Sequence, residues 1–255
     1  LIVTRGLLPQ RVQLLEELCK RYDCTVHVAC YGDERPFDSP WVSREVLGGP
    51  IIHTAGVIRH GVLLHTSFGG AKAVARDNWD AVIASGFGSM TTGFAHLAAR
   101  WKQTPFVLWN ENTPWHEAER PWYVKWYKRR FLRRCDQVWA TGAAARQHAL
   151  AGGVDEHRVH LVPYVVDVDY FAREADRWRP HRDQTLRELG LRCDLPVVLQ
   201  VGKLKPRKGV PEVLDAIPRI LLRRDACFVF VGQGELADEL ELFRHEFDLQ
   251  DRVAH

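Results

Sequence analysis

The chain has 255 residues, 46% of them hydrophobic and 26% charged, a usage that excludes disordered, collagenous and coiled-coil architectures. Its formal net charge of +3, from 35 Lys and Arg against 32 Asp and Glu, supplies no global field, so any anionic partner must be met by local clusters. At about 150 residues per domain the length predicts two domains, and the longest stretch without Lys, Arg, Asp or Glu, residues 81–99, holds too many glycine, serine and threonine residues to span a bilayer.

Residues 1–4 form an apolar run ending at Gly6, residues 10–21 follow a helical period, and residues 26–30 read as the next strand. A second unit follows: a strand over 81–84, a turn at Gly86 and Gly88, a helix over 90–101 and a strand over 105–108. The pattern then predicts a helix over 118–134, a strand over 137–140, a helix over 143–150 and a strand over 159–162. Such alternation is that of a parallel sheet with crossover helices. Residues 163–180 break the rhythm, with no clear period over 173–179. A short helix over 181–189, strands over 197–201 and 227–231, and helices over 210–222 and 236–247 come after, and residues 252–255 resemble the start of another strand. The expected organisation is a first domain over 1–165, a junction over 166–195 and the start of a second domain over 196–255, incomplete against the five or six strands of a doubly wound sheet. Both ends read as cut. No leader pattern opens the chain, so a cytoplasmic location is expected, with the inner face of the cell membrane as its most membranous version.

Cys19, Cys24, Cys30, Cys135, Cys193 and Cys227 show no C-x-x-C pair or metal-ligand spacing and are expected to be reduced thiols. The histidines form no metal-binding pattern, and no G-x-S-x-G supports a hydrolase triad.

Chemistry concentrates where strands meet helices. Residues 201–209, Val-Gly-Lys-Leu-Lys-Pro-Arg-Lys-Gly, carry four cations and no acid ahead of a helix. Cations near a helix N-terminus are mildly unfavourable unless an anion joins them, so the loop reads either as a phosphate site using Lys203 and Lys208 or as a solvated basic turn. Gly232 and Gly234 open a G-x-G-x-x-A sequence, but the acids Glu235 and Asp238 would repel a pyrophosphate there. Its glycines are expected to let a backbone pass close to a ligand or a neighbouring strand.

Gly202-Lys203-Leu204, Lys208-Gly209 and then Phe228 to Gly234 resemble the donor-domain opening of family-4 retaining glycosyltransferases. Ala140-Thr141-Gly142, Gly153-Val154, Val162-Pro163 and Val166-Asp167 resemble the same family's domain junction. The resemblance implies a GT-B fold, two Rossmann-like doubly wound parallel-sheet domains, the second incomplete here. It implies metal-independent, hexosyltransferase-like transfer of a sugar from a nucleoside diphosphate, UDP or GDP, to a carbohydrate, lipid or small-molecule acceptor, with the nucleotide sugar as substrate and no further cofactor. The donor-phosphate cations fall on Lys203, where the family usually has arginine, and on Lys208. Gly202, Gly232 and Gly234 fall in the donor-nucleotide loops, and the glycine facing the phosphates from the first domain falls on Gly6, without its usual second glycine. Where many members carry a histidine near the reacting sugar, this sequence has Asn110 and Glu111. Glu111 is therefore the candidate for stabilising an oxocarbenium ion or holding the acceptor hydroxyl, with Asn110 as a hydrogen-bonding alternative, and capping or pairing with an arginine as the competing role of Glu111. The family's E-x7-E motif would lie beyond His255, and the spacing of Glu239 and Glu246 is coincidental.

The acceptor would enter past residues 86–89, Glu111 and a basic aromatic helix. In that helix, Arg120 to Arg134 holds seven cations and no acid, interleaved with aromatics. Trp122 and Trp126 share a helical face near Arg129 and Arg130. Such a helix suits peripheral contact with anionic headgroups or a lipid-phosphate acceptor. Alternatively, its aromatics pack on the sheet while the cations snorkel to water. No RNP-like, KH or helix-turn-helix pattern points to nucleic acid. The rival functions are an epimerase or phosphorylase of the same fold, a non-catalytic sugar-nucleotide or membrane-binding module, and a NAD-type dehydrogenase.

Overall fold

The computed structural model describes residues 1–4, 9–30, 51–53, 58–60, 64–66, 68–86, 90–118 and 120–255. Within these, the chain divides into two compact units, Leu1–Asp167 and Val168–His255.

The first unit contains, in order, β1 (Ile2–Thr4), α1 (Pro9–Arg21), β2 (Val28–Cys30), β3 (Ile51–His53), β4 (Ile58–His60), β5 (Leu64–Thr66) and α2 (Gly69–Arg76). It continues with β6 (Val82–Ser85), α3 (Met90–Trp101), β7 (Phe106–Asn110), α4 (Pro114–Ala118), α5 (Trp122–Leu132), β8 (Gln137–Ala140), α6 (Ala143–Ala151) and β9 (Val159–Leu161). Seven strands form one parallel sheet in the order β3-β2-β1-β6-β7-β8-β9, while β4 and β5 pair antiparallel. The central strands are largely apolar, as a parallel sheet buried on both faces requires. All five residues of β7 are buried. Phe131 and Leu132 of α5 join the same core, as do the small residues Ala95 and Ala99 of α3 and Ala145 and Ala149 of α6.

From β1 the chain runs outward to β2 and β3, then returns to β6 on the other side of β1. That reversal is where a doubly wound sheet opens a crevice at the carboxyl ends of its strands. Gly6, Gly88 and Ser89, expected to face the donor or the acceptor, lie outside the described residues.

The second unit contains α7 (Val168–Trp178), α8 (Arg182–Glu188), β10 (Val197–Val201), α9 (Val210–Leu221), β11 (Cys227–Val231), α10 (Ala237–Glu246) and β12 (Val253–Ala254). Its three strands are parallel in the order β10-β11-β12. Phe228 and Phe230 pack one face against Leu214 and Ile217 of α9 and Leu240 of α10. Cys227 and Val229 pack the other against Leu186 and Leu191.

Three features differ from the sequence reading. Residues 51–76 hold three strands and a helix that apolar periodicity did not flag. The helix expected over 118–134 is α5, starting only at Trp122, because Pro121 has no N–H to continue a ladder and restricts the residue before it. Of residues 166–195, expected as a junction, those from 168 onward belong to the second unit; α8 falls within the short helix expected over 181–189, whereas α7 was not expected.

Candidate functional site

In the second unit, β10 and β11 run in register with Val201 opposite Val231, so the loops leaving their carboxyl ends lie side by side. The amide of Gly202 donates to the carbonyl of Val231 (2.9 Å), that of Leu204 to Gln233 (3.0 Å) and that of Leu236 to Leu204 (3.2 Å). A Cβ on Gly232 would overlap the carbonyl oxygen of Gly202, and one on Gly234 would overlap that of Leu204. The two glycines therefore serve the approach of a neighbouring backbone, one of the two roles expected for them. α10 begins only at Ala237, so Asp238 and Glu239 supply its first-turn acids and Glu235 precedes it.

In the other loop a single 3₁₀ turn, Pro206–Lys208, precedes α9, with Gly209 at its N-cap and Glu212 in its first turn. Lys203, Arg207 and Lys208 are exposed, and Lys205 is half-buried. Among the described residues no carboxylate forms an ion pair with any of the four. Gln200 holds the loop, its amide donating to the carbonyl of Lys208 (3.1 Å). The sequence reading missed Gln200, since nothing in an apolar strand marks its one polar residue as a loop anchor.

In the first unit, the end of β7 separates Asn110 from Glu111. Asn110 is fully buried. Its amide donates to the carbonyl of Ala145 (3.1 Å) and faces His148 Nδ1 (3.4 Å), while its Oδ1 accepts from the Asn112 amide (3.1 Å). The carbonyl of Ala145 fixes the amide's orientation, so His148 accepts on Nδ1 and presents Nε2–H to Glu117, 3.8 Å away. Glu117 in turn pairs with Lys128. Asn110 is thus committed to tying β7 to α6 and to the turn after it, which corrects its reading as a group at the reacting sugar. Glu111, the next residue, is exposed. The carbonyl of Asn110 accepts the amide of Thr141 (3.2 Å), joining the ends of β7 and β8, and the amide of Gly86 donates to the carbonyl of Trp109 (3.0 Å). These contacts set Gly86 and Glu111 at the carboxyl ends of neighbouring central strands. His148, Glu117 and Lys128 come from three helices, and their separation in sequence hid the cluster. Among the described residues no three His, Cys, Asp or Glu side chains gather as a metal site.

Trp122, Trp126, Arg129 and Arg130 all lie exposed on α5, and Arg130 stands over the ring of Trp126 at 5.8 Å. Of the aromatics on this helix only Phe131 packs in the core of the sheet, while the two tryptophans stand in the open. No described helix is long and apolar enough to cross a membrane.

The glycosyl transferase 4-like domain family matches residues 6–165, and glycosyl transferases group 1 matches residues 181–255. The chain belongs to the glycosyl transferase 4-like family. Alpha-D-kanosaminyltransferase of Streptomyces kanamyceticus is 31% identical to this glycosyl transferase 4-like chain over 137 residues, 51% of the chain and 33% of that protein. D-inositol 3-phosphate glycosyltransferase of Xylanimonas cellulosilytica is 30% identical over 105 residues, 40% of the chain and 25% of that protein. The chain spans about a third or less of the length of the curated relatives it matches. Among solved structures, Anabaena Alr3699/HepE in complex with UDP superposes with a TM-score of 0.70 at 15% identity, covering 99% of this chain and 67% of that one. UDP-N-acetylglucosamine 2-epimerase from Rickettsia bellii superposes with a TM-score of 0.59 at 13% identity, covering 99% and 67%. At such identities the likeness establishes the fold, which is GT-B with two Rossmann-like parallel sheets.

Proposed function

We propose that this chain carries the donor-phosphate and acceptor-side elements of a retaining glycosyltransferase, which moves a hexosyl group from UDP or GDP to an acceptor hydroxyl without a metal. The observation that carries this reading is the loop after β10, four cations without a carboxylate partner among the described residues, at the carboxyl end of a parallel strand. A leaving diphosphate gains negative charge in the transition state, and preorganised cations stabilise it more there than in the ground state. Lys203 supplies charge without the bidentate geometry of arginine. Lys208 precedes the N-terminus of α9, whose dipole adds to the attraction, with Glu212 subtracting. In the first unit, Glu111 is the carboxylate proposed to steady the acceptor hydroxyl or the developing oxocarbenium ion. Gly6, Gly202, Gly232 and Gly234 are proposed to shape the turns that admit the nucleotide. The complex of Anabaena HepE with UDP supports a uridine nucleotide as ligand.

The epimerase superposition favours a second reading, in which the same cations hold a nucleotide sugar that reacts without an acceptor. Product formation in the absence of any acceptor would identify it.

Titration with UDP, GDP, TDP and ADP, each with and without magnesium and with NAD as control, tests the proposal by thermal shift and calorimetry. One nucleoside diphosphate should raise the unfolding midpoint by mass action, with no gain from magnesium. Lys208→Ala should weaken that nucleotide about tenfold or more, the loss of a hydrogen bond to a charged group. Because Lys208 is exposed, its stability should change by less than about 0.5 kcal/mol. Stabilisation by NAD alone, or unaltered affinity in Lys208→Ala, would remove the phosphate role.

A further inference from the structure

The proposed transfer leaves the outer face of α5 unused, and this face violates the ordinary rule for a soluble helix. Phe131 and Leu132 turn inward. Trp122, Tyr123, Trp126 and Tyr127, by contrast, are 77%, 58%, 59% and 44% exposed. At 100° per residue these four rings and Arg129 and Arg130 share one arc of about 160°, and Arg133, whose Nε donates to the carbonyl of Gly152, and Arg134 follow in the turn after the helix. All four arginines are exposed. Lys128 lies on the opposite side, where it pairs with Glu117.

The face continues onto α3. Gly93 brings the two helices together, since a Cβ there would stand 3.0 Å from the hydroxyl of Tyr127. Between the helices lies a groove of about 290 Å³, walled by Met90, Phe94 and Leu97 on one side and Trp126 and Tyr127 on the other, with Arg130 and Arg134 at its rim. Met90 and Leu97 are 50% and 60% exposed. The largest apolar patch on a soluble monomer is usually a few hundred Å², and each tryptophan or tyrosine alone can bury about 150–250 Å². Water is a poor partner for six such side chains in one place.

We propose that the α5 face and the α3–α5 groove dock on an anionic lipid bilayer, with the rings at headgroup depth and the arginines on lipid phosphates. Charge chooses the occupant. A second copy of the chain meeting this face about a two-fold axis would set arginine against arginine. Tryptophan and tyrosine are the residues that favour the boundary of water and hydrocarbon, and arginines beside them are drawn to a negative leaflet surface. The groove offers apolar depth, whereas nucleic acid would ask for flat stacking positions along a basic track. The inference goes beyond sugar transfer and stands or falls without it.

Co-sedimentation of the whole chain with phosphatidylcholine vesicles, with and without phosphatidylglycerol, tests it without any nucleotide present. Binding should require phosphatidylglycerol and weaken as salt rises. The paired charge reversal Arg129→Glu with Arg130→Glu should lower the partition coefficient at least tenfold, given about fivefold per cation removed near the surface. Trp122→Ala with Trp126→Ala should lower it while leaving the salt dependence in place. Both variants alter exposed side chains, so their thermal midpoints should match that of the parent and show that they fold. In the parent, brominated phosphatidylcholine mixed with phosphatidylglycerol should quench tryptophan fluorescence. Absent binding to anionic vesicles, equal binding by parent and variants, or association that light scattering shows to be dimerisation through this face would overturn the inference. Single-stranded RNA that binds the face while vesicles do not would overturn it as well.

Discussion

Asn110 and Glu111 are neighbours in sequence with opposite environments, and their substitutions should report it. Removing the amide in Asn110→Ala leaves the carbonyl of Ala145 and the amide of Asn112 without their partner in a fully buried place. The expected cost is about 2–3 kcal/mol, the desolvation penalty of orphaned polar groups, read as a lower midpoint in urea. If Asn110→Ala unfolds at the parent's midpoint, Asn110 does not tie β7 to α6. His96 makes a second residue-scale test. It packs between Phe106 and Phe131, both at 4.9 Å between ring centroids, and its Nε2 faces the carbonyl of Arg134. Burial is the main force lowering its pKa, with the cations Arg100 and Arg134 adding to it and the carbonyl of Arg134 and Asp136 opposing it. A base whose folded pKa is depressed binds its proton more readily when unfolded, so stability is complete above the ordinary value of about 6.5 and falls as the pH drops below it. Urea midpoints between pH 7.5 and 5 should decline in the parent and decline less in His96→Gln. Equal slopes would assign the loss to other groups.

At the scale of elements, the alternation of strand and helix was readable because buried parallel strands are short apolar runs with turn residues at each end. Strands β8, β10 and β11 occur at the expected residues, and α3 does also. What failed did so for physical reasons. In α7 the apolar residues Val168, Phe171, Ala172, Ala175 and Trp178 recur at helical spacing, but residues 173–179 taken alone hold only part of that stripe, and the helix buries no residue. The exposure of the α5 aromatics could not be read either, because an amphipathic sequence states which residues share a face and not which face meets the core. The network of Asn110, His148, Glu117 and Lys128 was hidden because its members converge only in space. The loop glycines, in contrast, were legible as sites of close approach, and the structure makes that demand strict at Gly232. Its φ of +154° lies where side chains rarely go, and the carbonyl of Gly202 occupies the place of a Cβ. Gly232→Ala should cost more than about 3 kcal/mol, combining backbone strain with displacement of the neighbouring loop. Far-ultraviolet circular dichroism during thermal unfolding would measure it. A midpoint within a degree of the parent's would show that the two loops separate easily.

At the scale of the whole molecule, the two units handle their sheet edges differently. The large sheet ends in the three-residue strands β3 and β9, whereas the small sheet begins with the five-residue strand β10, paired on one side only among the described residues. Its sequence, Val-Val-Leu-Gln-Val, reads as a strand buried on both faces, yet Val198, Leu199 and Val201 are 46%, 59% and 70% exposed. Proteins ordinarily blunt such an edge with a charge, a proline, a bulge or a covering element, and β10 carries no charge and no proline. Covering a valine or leucine is worth about 1.5–3 kcal/mol each, a sum that association must discount for lost translational and rotational freedom. The chain of 255 residues should therefore self-associate as its concentration rises, with little sensitivity to salt because the contact is apolar and main-chain. Leu199→Lys places a solvated cation on the edge at an already exposed position, so it should fold as the parent does and lower the weight-average mass seen by light scattering. If the parent is monomeric throughout, or Leu199→Lys associates equally, the β10 edge is not what the chain uses to meet itself.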